Sequence, residues 1–416
     1  MKKKRMIVGV LFALTLLGIP GIAFSSGVGD WFLLTDDPGW QSKPAVAYNS
    51  QSNQFLVAWE DDRGTGGIGG EIYAQLVNSD GTLTGVNFPV VTVADPYEHR
   101  PISARLAYNS TTNRYMTIWW DSEVTEVYGQ QVNANGTLFG SQIAIPHTTV
   151  DQGHPDVVYN PAANQFLVVY DDYHDNADVY GAFVNADGTF PGPAFSISTA
   201  AYNQLYPAVA YGATDNRYLV VWWDGYSTSG DIYGRFVNAD ATMAGDEFAI
   251  SFLGADKNYP VSVAYAPALD EFLVVWGNND DVYGRLVKAD QSFVGLEFQI
   301  ASGGADYLED PAVSFDTGSN RFLVTWRNSS GWGSIDARLV GANGEMPEPS
   351  FEVAGGIKRG YYYPDVAFGA QENRFLLVWE RYACLNPDCS LADLNIYGAL
   401  YQPGAYNLYL PLVLNN

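Results

Sequence analysis

Charge and thiols are scarce in this 416-residue chain: 16% of its residues are charged, cysteine occurs twice and histidine four times. So little charge beside 47% hydrophobic residues excludes a disordered polyampholyte. Basic residues are the scarcer sign, 21 Lys plus Arg against 46 Asp plus Glu. The formal net charge of −25 disfavours attraction to a phosphate backbone or an anionic membrane, so nucleic acid is not an expected partner. No Gly-rich phosphate loop, Walker motif, nucleophile elbow or His-Glu-x-x-His sequence is present, so the specific activity carries no motif. What is abundant is 42 Gly and 21 Pro among 28 Tyr, 21 Phe and 11 Trp, a composition suited to many short strands joined by turns. The expected class is all-β.

The basic run Lys2-Lys3-Lys4-Arg5 precedes an apolar run from Met6 to Ile19, then Pro20-Gly21 and small residues around Ala23-Phe24-Ser25. That order describes a secretory signal peptide over residues 1–25, since the run falls short of the ~20 residues that span a bilayer. A retained anchor is the alternative. The mature chain is expected to be secreted or held at the cell surface, with no transmembrane domain. Cys384 and Cys389 share one polar loop, and in an oxidising compartment a local disulfide between them is expected. Such a short loop gains modest chain-entropy stabilisation, and two thiols without a nearby His or Cys make a weaker case for a metal.

One pattern returns seven times: an apolar strand after Pro, then Asn-x-Phe-Leu-Val-Val-Trp, Asp-Ile-Tyr-Gly, Asn-Ala-Asp-Gly-Thr and Phe-x-Ile. Its first aromatic falls at Tyr48, Tyr108, Tyr159, Tyr211, Tyr265, Phe315 and Phe368. Each unit holds four strand candidates, in the fourth repeat Pro207 to Tyr211, Arg217 to Trp223, Asp231 to Asn238 and Glu247 to Ser251. Asp-Gly and Asn-Gly between the third and fourth candidates supply tight hairpins needing positive φ. The second candidate, as in Phe272-Leu273-Val274-Val275-Trp276, is apolar on both faces and needs a sheet on each side. Face-to-face four-stranded sheets are the β-propeller arrangement.

The expected architecture is therefore a seven-bladed propeller over residues 26–404, with repeats near 44–100, 101–154, 155–206, 207–259, 260–310, 311–363 and 364–402. The last repeat lacks Phe-x-Ile, and Trp31 to Thr35 resembles the missing strand, so an N-terminal strand is expected to close the ring. An eighth, incomplete blade is the alternative. The Asp231-Ile232-Tyr233 and Asn238-Ala239-Asp240 elements, which return in most repeats, resemble TolB-type (WD40-like) propeller repeats. The resemblance implies a propeller. Those repeats usually carry Ser-Pro-Asp-Gly after the first strand where this chain has Tyr48-Asn49-Ser50, so no partner or binding residue is carried over. The tail 405–416 is similar to the Leu-Tyr-Leu-Pro-Leu-Val-Leu ends of some large secreted bacterial proteins, which implies sorting. An apolar strand packed on the ring is the alternative.

Strand order puts the long, aromatic and acidic loops after the second and fourth strands at one end of the ring, the end expected to bind. The residue before each first-strand Pro is expected near the channel mouth: Lys43, Arg100, His154, Tyr206, Tyr259, Asp310 and Tyr363. Aromatic faces beside polar groups suit a sugar, and the expected partner is an extracellular glycan or peptide met by a monomer. The bland alternative is Tyr-Pro packing at the start of a strand. His154, Asp151 and Tyr206 are the candidate base, orienter and proton donor of a polysaccharide lyase or glycoside hydrolase, and Glu309 with Asp310 is a candidate acid pair. No cofactor is required. The acids Asp172, Asp175 and Asp178 are candidate calcium ligands, solvated loop charge being the alternative. Three functions follow in order of preference: a ligand-binding propeller, a carbohydrate-active enzyme on that fold, and a cell-envelope scaffold.

Overall fold

The computed structural model describes residues 27–37, 39–63, 70–95, 97–147, 151–173, 176–226, 229–252, 257–278, 280–304, 307–357, 359–384 and 392–404. The expected signal peptide at 1–25, the tail at 405–416, Cys389, Asp175 and the side chain of Tyr259 lie outside the described residues. The expected disulfide therefore falls outside them as well.

Seven antiparallel sheets of four strands form a seven-bladed propeller. The inner strands, in order from blade 1, are Gln41–Asn49, Pro101–Asn109, Gln152–Asn160, Asn203–Gly212, Lys257–Ala266, Leu308–Asp316 and Arg359–Gly369. Blade 4 continues through Arg217–Tyr226, Ser229–Asn238 and Phe248–Ala249. The two-sided second strand behaves as its composition requires. Leu273 and Val275 of blade 5 pack with Phe322 and Val324 of blade 6, while Phe272, Val274 and Trp276 pack with Leu219 and Val221 of blade 4. Each second strand thus buries one face in either inter-blade core, and free energy of about 25 cal/mol per Å² of apolar surface accrues on both sides.

The repeat pattern is also a hydrogen-bond pattern. The tyrosine that ends the inner strand donates its hydroxyl to a side chain in the following turn: Tyr48 to Asn53 (2.9 Å), Tyr108 to Asn113 (3.1 Å), Tyr159 to Asn164 (2.8 Å), Tyr211 to Asn216 (3.0 Å) and Tyr265 to Asp270 (2.6 Å). Each acceptor residue has φ between 51° and 54°. Asn and Asp tolerate that left-handed region better than other side chains, which explains the recurring Asn before the second strand. Neighbouring blades are stitched at the same level, where Asn49 Nδ2 donates to Asn113 Oδ1 at 2.8 Å and Asn160 Nδ2 to Asn216 Oδ1 at 2.9 Å.

The ring closes between the two ends of the described chain. Phe32–Leu33 pairs antiparallel with the third strand of blade 7, Phe32 opposite Gly398 and Leu33 opposite Tyr397. Gly29 N and Leu34 N extend the ladder to Leu400 O (2.8 Å) and Ile396 O (2.9 Å). Trp31 sets edge-on against Tyr361 and Trp379, with centroids 5.8 and 5.6 Å away, and donates its indole N–H to Val353 O at 2.9 Å. Blade 7 is thereby completed by the N-terminal strand, as expected, and no eighth sheet is present among the described residues.

Candidate functional site

Every inner strand breaks register at one level, between Ser42 and Ala45, Ile102 and Arg105, Gly153 and Asp156, Leu205 and Ala208, Asn258 and Val261, Glu309 and Ala312, and Tyr362 and Asp365. Six bulge residues have positive φ: Lys43, Ser103, His154, Tyr206, Asp310 and Tyr363, at 47°, 55°, 40°, 53°, 50° and 49°. Glycine adopts that conformation without steric cost, whereas side-chain-bearing residues here carry strain of about 1–2 kcal/mol each. None of the six is glycine. Bulges re-aim side chains, and these six line a cavity of about 550 Å³ at the long-loop end of the channel.

Five of the seven residues expected at the mouth, Lys43, His154, Tyr206, Asp310 and Tyr363, thus stand together on the cavity wall. Arg100 does not join them. Its side chain is exposed and its backbone N–H donates to Asp121 Oδ1 at 2.8 Å, while Ser103 takes the cavity position. In blade 2 the proline lies seven residues before the register tyrosine, Tyr108, instead of four as in blade 1, so proline marks the wrong level there.

His154 is held at its Nδ1 by Asp171, 2.9 Å away, and its ring lies 3.8 Å from that of Tyr206 and 5.3 Å from that of Trp120. The acid in contact with His154 is therefore Asp171 and not the expected Asp151, which is exposed and accepts from Thr125 Oγ1 at 2.8 Å. Asp171 has a second duty, accepting the N–H of the Tyr206 bulge at 3.0 Å. Equivalent acids serve other blades: Glu60 accepts the Ser103 N–H at 2.6 Å, and Glu380 accepts from the backbone of Lys43. These acids follow the last aromatic of the second strand and stabilise the strained amide of the next blade. That role was not visible in the acidic runs Glu60-Asp61-Asp62 and Asp171-Asp172.

Two residues below the mouth the channel carries Arg105, Asp156 and Asp365 among small residues such as Ala45, Ala208 and Ala312. Asp156 accepts from Val209 N and Asp365 from Val46 N, both at 2.9 Å, so each clasps the next blade. Burial pushes Asp365 up to about 6 and raises Asp156, with Arg105 opposing both shifts. Replacing Asp156 with alanine is expected to cost about 1–3 kcal/mol in urea unfolding, because the Val209 amide loses its acceptor. An unchanged midpoint would show that the clasp carries no stability.

At the rim, burial first and Glu309 second push Asp310 up to about 6. The pair expected from Glu309 and Asp310 is divided, since Glu309 is ion-paired with Arg327, whose guanidinium sits 4.3 Å from the Tyr362 ring centre. Lys43 pairs with Glu60 at 3.0 Å. For the candidate calcium ligands, Asp172 is buried opposite Asp178 across the hairpin. Among the described residues no three His, Cys, Asp or Glu side chains are grouped to hold a metal ion.

No family model matches the chain, and no curated protein matches it. Solved structures match in fold. A protein of unknown function from Dyadobacter fermentans superposes with a TM-score of 0.53 at 11% identity, over 92% of this chain and 100% of that one. The NanB sialidase of Streptococcus pneumoniae gives 0.52 at 9% identity, over 93% and 72%. The α-L-arabinofuranosidase Arb93A of Fusarium graminearum gives 0.52 at 11%, over 76% and 98%. At such identities the likeness concerns the propeller alone.

Proposed function

We propose that this chain is a secreted or surface-held binding propeller whose ligand is a glycan seated in the channel mouth. The observation that carries the reading is the ring of strained, side-chain-bearing bulges around one cavity. Tyr206, Tyr363 and Trp120 offer ring faces for the C–H face of a sugar, and Ser103, His154, Lys43 and Asp310 offer donors and acceptors for its hydroxyls. The cavity falls within the ~300–1,000 Å³ range of small-ligand sites. Two of the distant structural neighbours are named as glycosidases, which agrees with the reading without assigning it.

A binding role accounts for the acids better than acid–base catalysis does. Asp171, Glu60 and Glu380 hold backbone amides, and Asp156 and Asp365 clasp neighbouring strands. The His154–Asp171 pair on the cavity wall favours the enzyme reading, because an acid at Nδ1 orients an imidazole for proton transfer at Nε2. Glycan-array binding confirmed by calorimetry tests the proposal. Tyr206→Ala and Tyr363→Ala are each expected to weaken affinity about tenfold or more with the fold intact. Full affinity in both variants overturns the reading. Sugar release from polysaccharides that disappears in His154→Ala would replace binding with catalysis.

A further inference from the structure

Blade 6 carries a second concave site, separate from the channel. A groove of about 470 Å³ runs between the hairpin joining its second and third strands, Arg321–Asn328 and Ser334–Gly341, and its outer strand, Phe351–Gly355. Asn328, Trp332, Ser334, Asp336, Glu352 and Gly356 line it. The hairpin is built to a fixed shape. Asn328 Oδ1 accepts from Ser330 N at 3.0 Å, Gly333 N donates to Ser330 O at 2.8 Å, and Gly331 and Gly333 have φ of 62° and 88°. A Cβ at Gly333 would sit 3.3 Å from Asn328 O, so glycine is needed for both the turn and the close approach.

This loop holds Trp332 in solvent. Its side chain is 48% exposed, whereas Trp59, Trp276, Trp326 and Trp379 at the repeat position are at most 1% exposed. An indole that contributes so little to a core, on a loop fixed by its own hydrogen bonds, offers a flat apolar face beside polar groups. The polar groups are already ordered: Asp336 accepts from Asn328 Nδ2 and from Ser334 Oγ, both at 3.0 Å. Their remaining lone pairs and protons are the hydrogen-bonding capacity that hydroxyls require.

We propose that the blade 6 groove is a second saccharide site, in which a neutral sugar ring stacks on Trp332 and hydrogen-bonds to Asp336 and Asn328. Neutral sugars are favoured because the lining, among the described residues, holds two carboxylates, Asp336 and Glu352, and no basic side chain. The site is independent of the channel mouth, and two sites on one propeller would hold a polysaccharide by avidity.

The test uses the full chain labelled with 5-fluorotryptophan, with the Trp332 fluorine resonance assigned through Trp332→Phe. Titration with short neutral oligosaccharides is expected to move that resonance saturably, and Trp332→Ala to weaken binding at this site about tenfold. Tyr206→Ala and Tyr363→Ala are expected to leave the shift intact, so failure of the channel reading leaves this one standing. Three outcomes overturn the proposal: a resonance unmoved by every oligosaccharide, a shift lost in the channel variants, or an equal shift with n-butylamine, which would make the groove a cation site.

Discussion

Replacing Trp31 with alanine is expected to lower the unfolding free energy by about 3 kcal/mol, the low end for removing a large aromatic, because the residue is only half-buried. The loss has two sources. Trp31 fills the space between Tyr361 and Trp379, and its indole N–H satisfies Val353 O in the outer strand of blade 6. One side chain therefore ties the N-terminal strand to two blades. Trp31→Phe retains part of the packing and loses the hydrogen bond, so an intermediate loss of about 1–2 kcal/mol is expected. Removing residues 27–35 altogether exposes the third strand of blade 7 as a free edge, and the expected result is aggregation. Urea unfolding followed by circular dichroism measures the first two effects and light scattering the third. A truncated chain that stays monomeric with an unchanged midpoint would mean that the ring does not depend on its seam.

The second large effect concerns pH. Burial, with Glu60 and Asp310 adding to it, pushes the Glu380 carboxyl up to about 8, against opposition from the Lys43 amide and ammonium. A carboxyl whose folded pKa exceeds its unfolded value binds more protons when folded. Its stabilising contribution is complete below the ordinary glutamate pKa and is lost as pH rises through about 8. Asp310 and Asp365, pushed up to about 6, act with the same sign over a lower window. Stability is therefore expected to decline between about pH 5 and 9, contrary to the usual acid side of a stability profile. Glu380→Gln keeps an acceptor for the Lys43 amide and cannot ionise. It is expected to match the parent at pH 5 and to exceed it at pH 9 by a few kcal/mol, on the order expected for a buried carboxylate. Equal denaturation midpoints at pH 9 would show that Glu380 ionises without cost.

The fold was legible because the repeat is both a packing unit and a hydrogen-bonding unit. Phe272 to Trp276 needed two covering sheets, Asp-Gly turns needed hairpins, and Trp31 to Thr35 supplied the strand that the last repeat lacked. The site was only partly legible because proline does not keep one level in every blade, Pro101 standing seven residues before Tyr108 where Pro44 stands four before Tyr48. Aligned instead on the strand-ending aromatic, the chain reads Ala45, Arg105, Asp156, Ala208, Ser262, Ala312 and Asp365 three residues earlier, and the three charged members stand out among small ones. The pairing of His154 with Asp171 could not be read from spacing, since Asp151 is nearer in sequence and the contact depends on how blade 3 hairpins back on itself. The capping acids were hidden for a similar reason: Glu60 and Ser103 meet only because blades 1 and 2 stack. Trp332 was hidden because it belongs to no repeat position.

A crystal structure of the full chain grown with a pool of neutral oligosaccharides tests the central claim most directly. A sugar ring is expected in the channel mouth, against Tyr206 and Tyr363 and within hydrogen-bonding distance of His154 or Ser103. Ordered sugar on the outer blades with only solvent around these bulges, at ligand concentrations that saturate binding in solution, would contradict it.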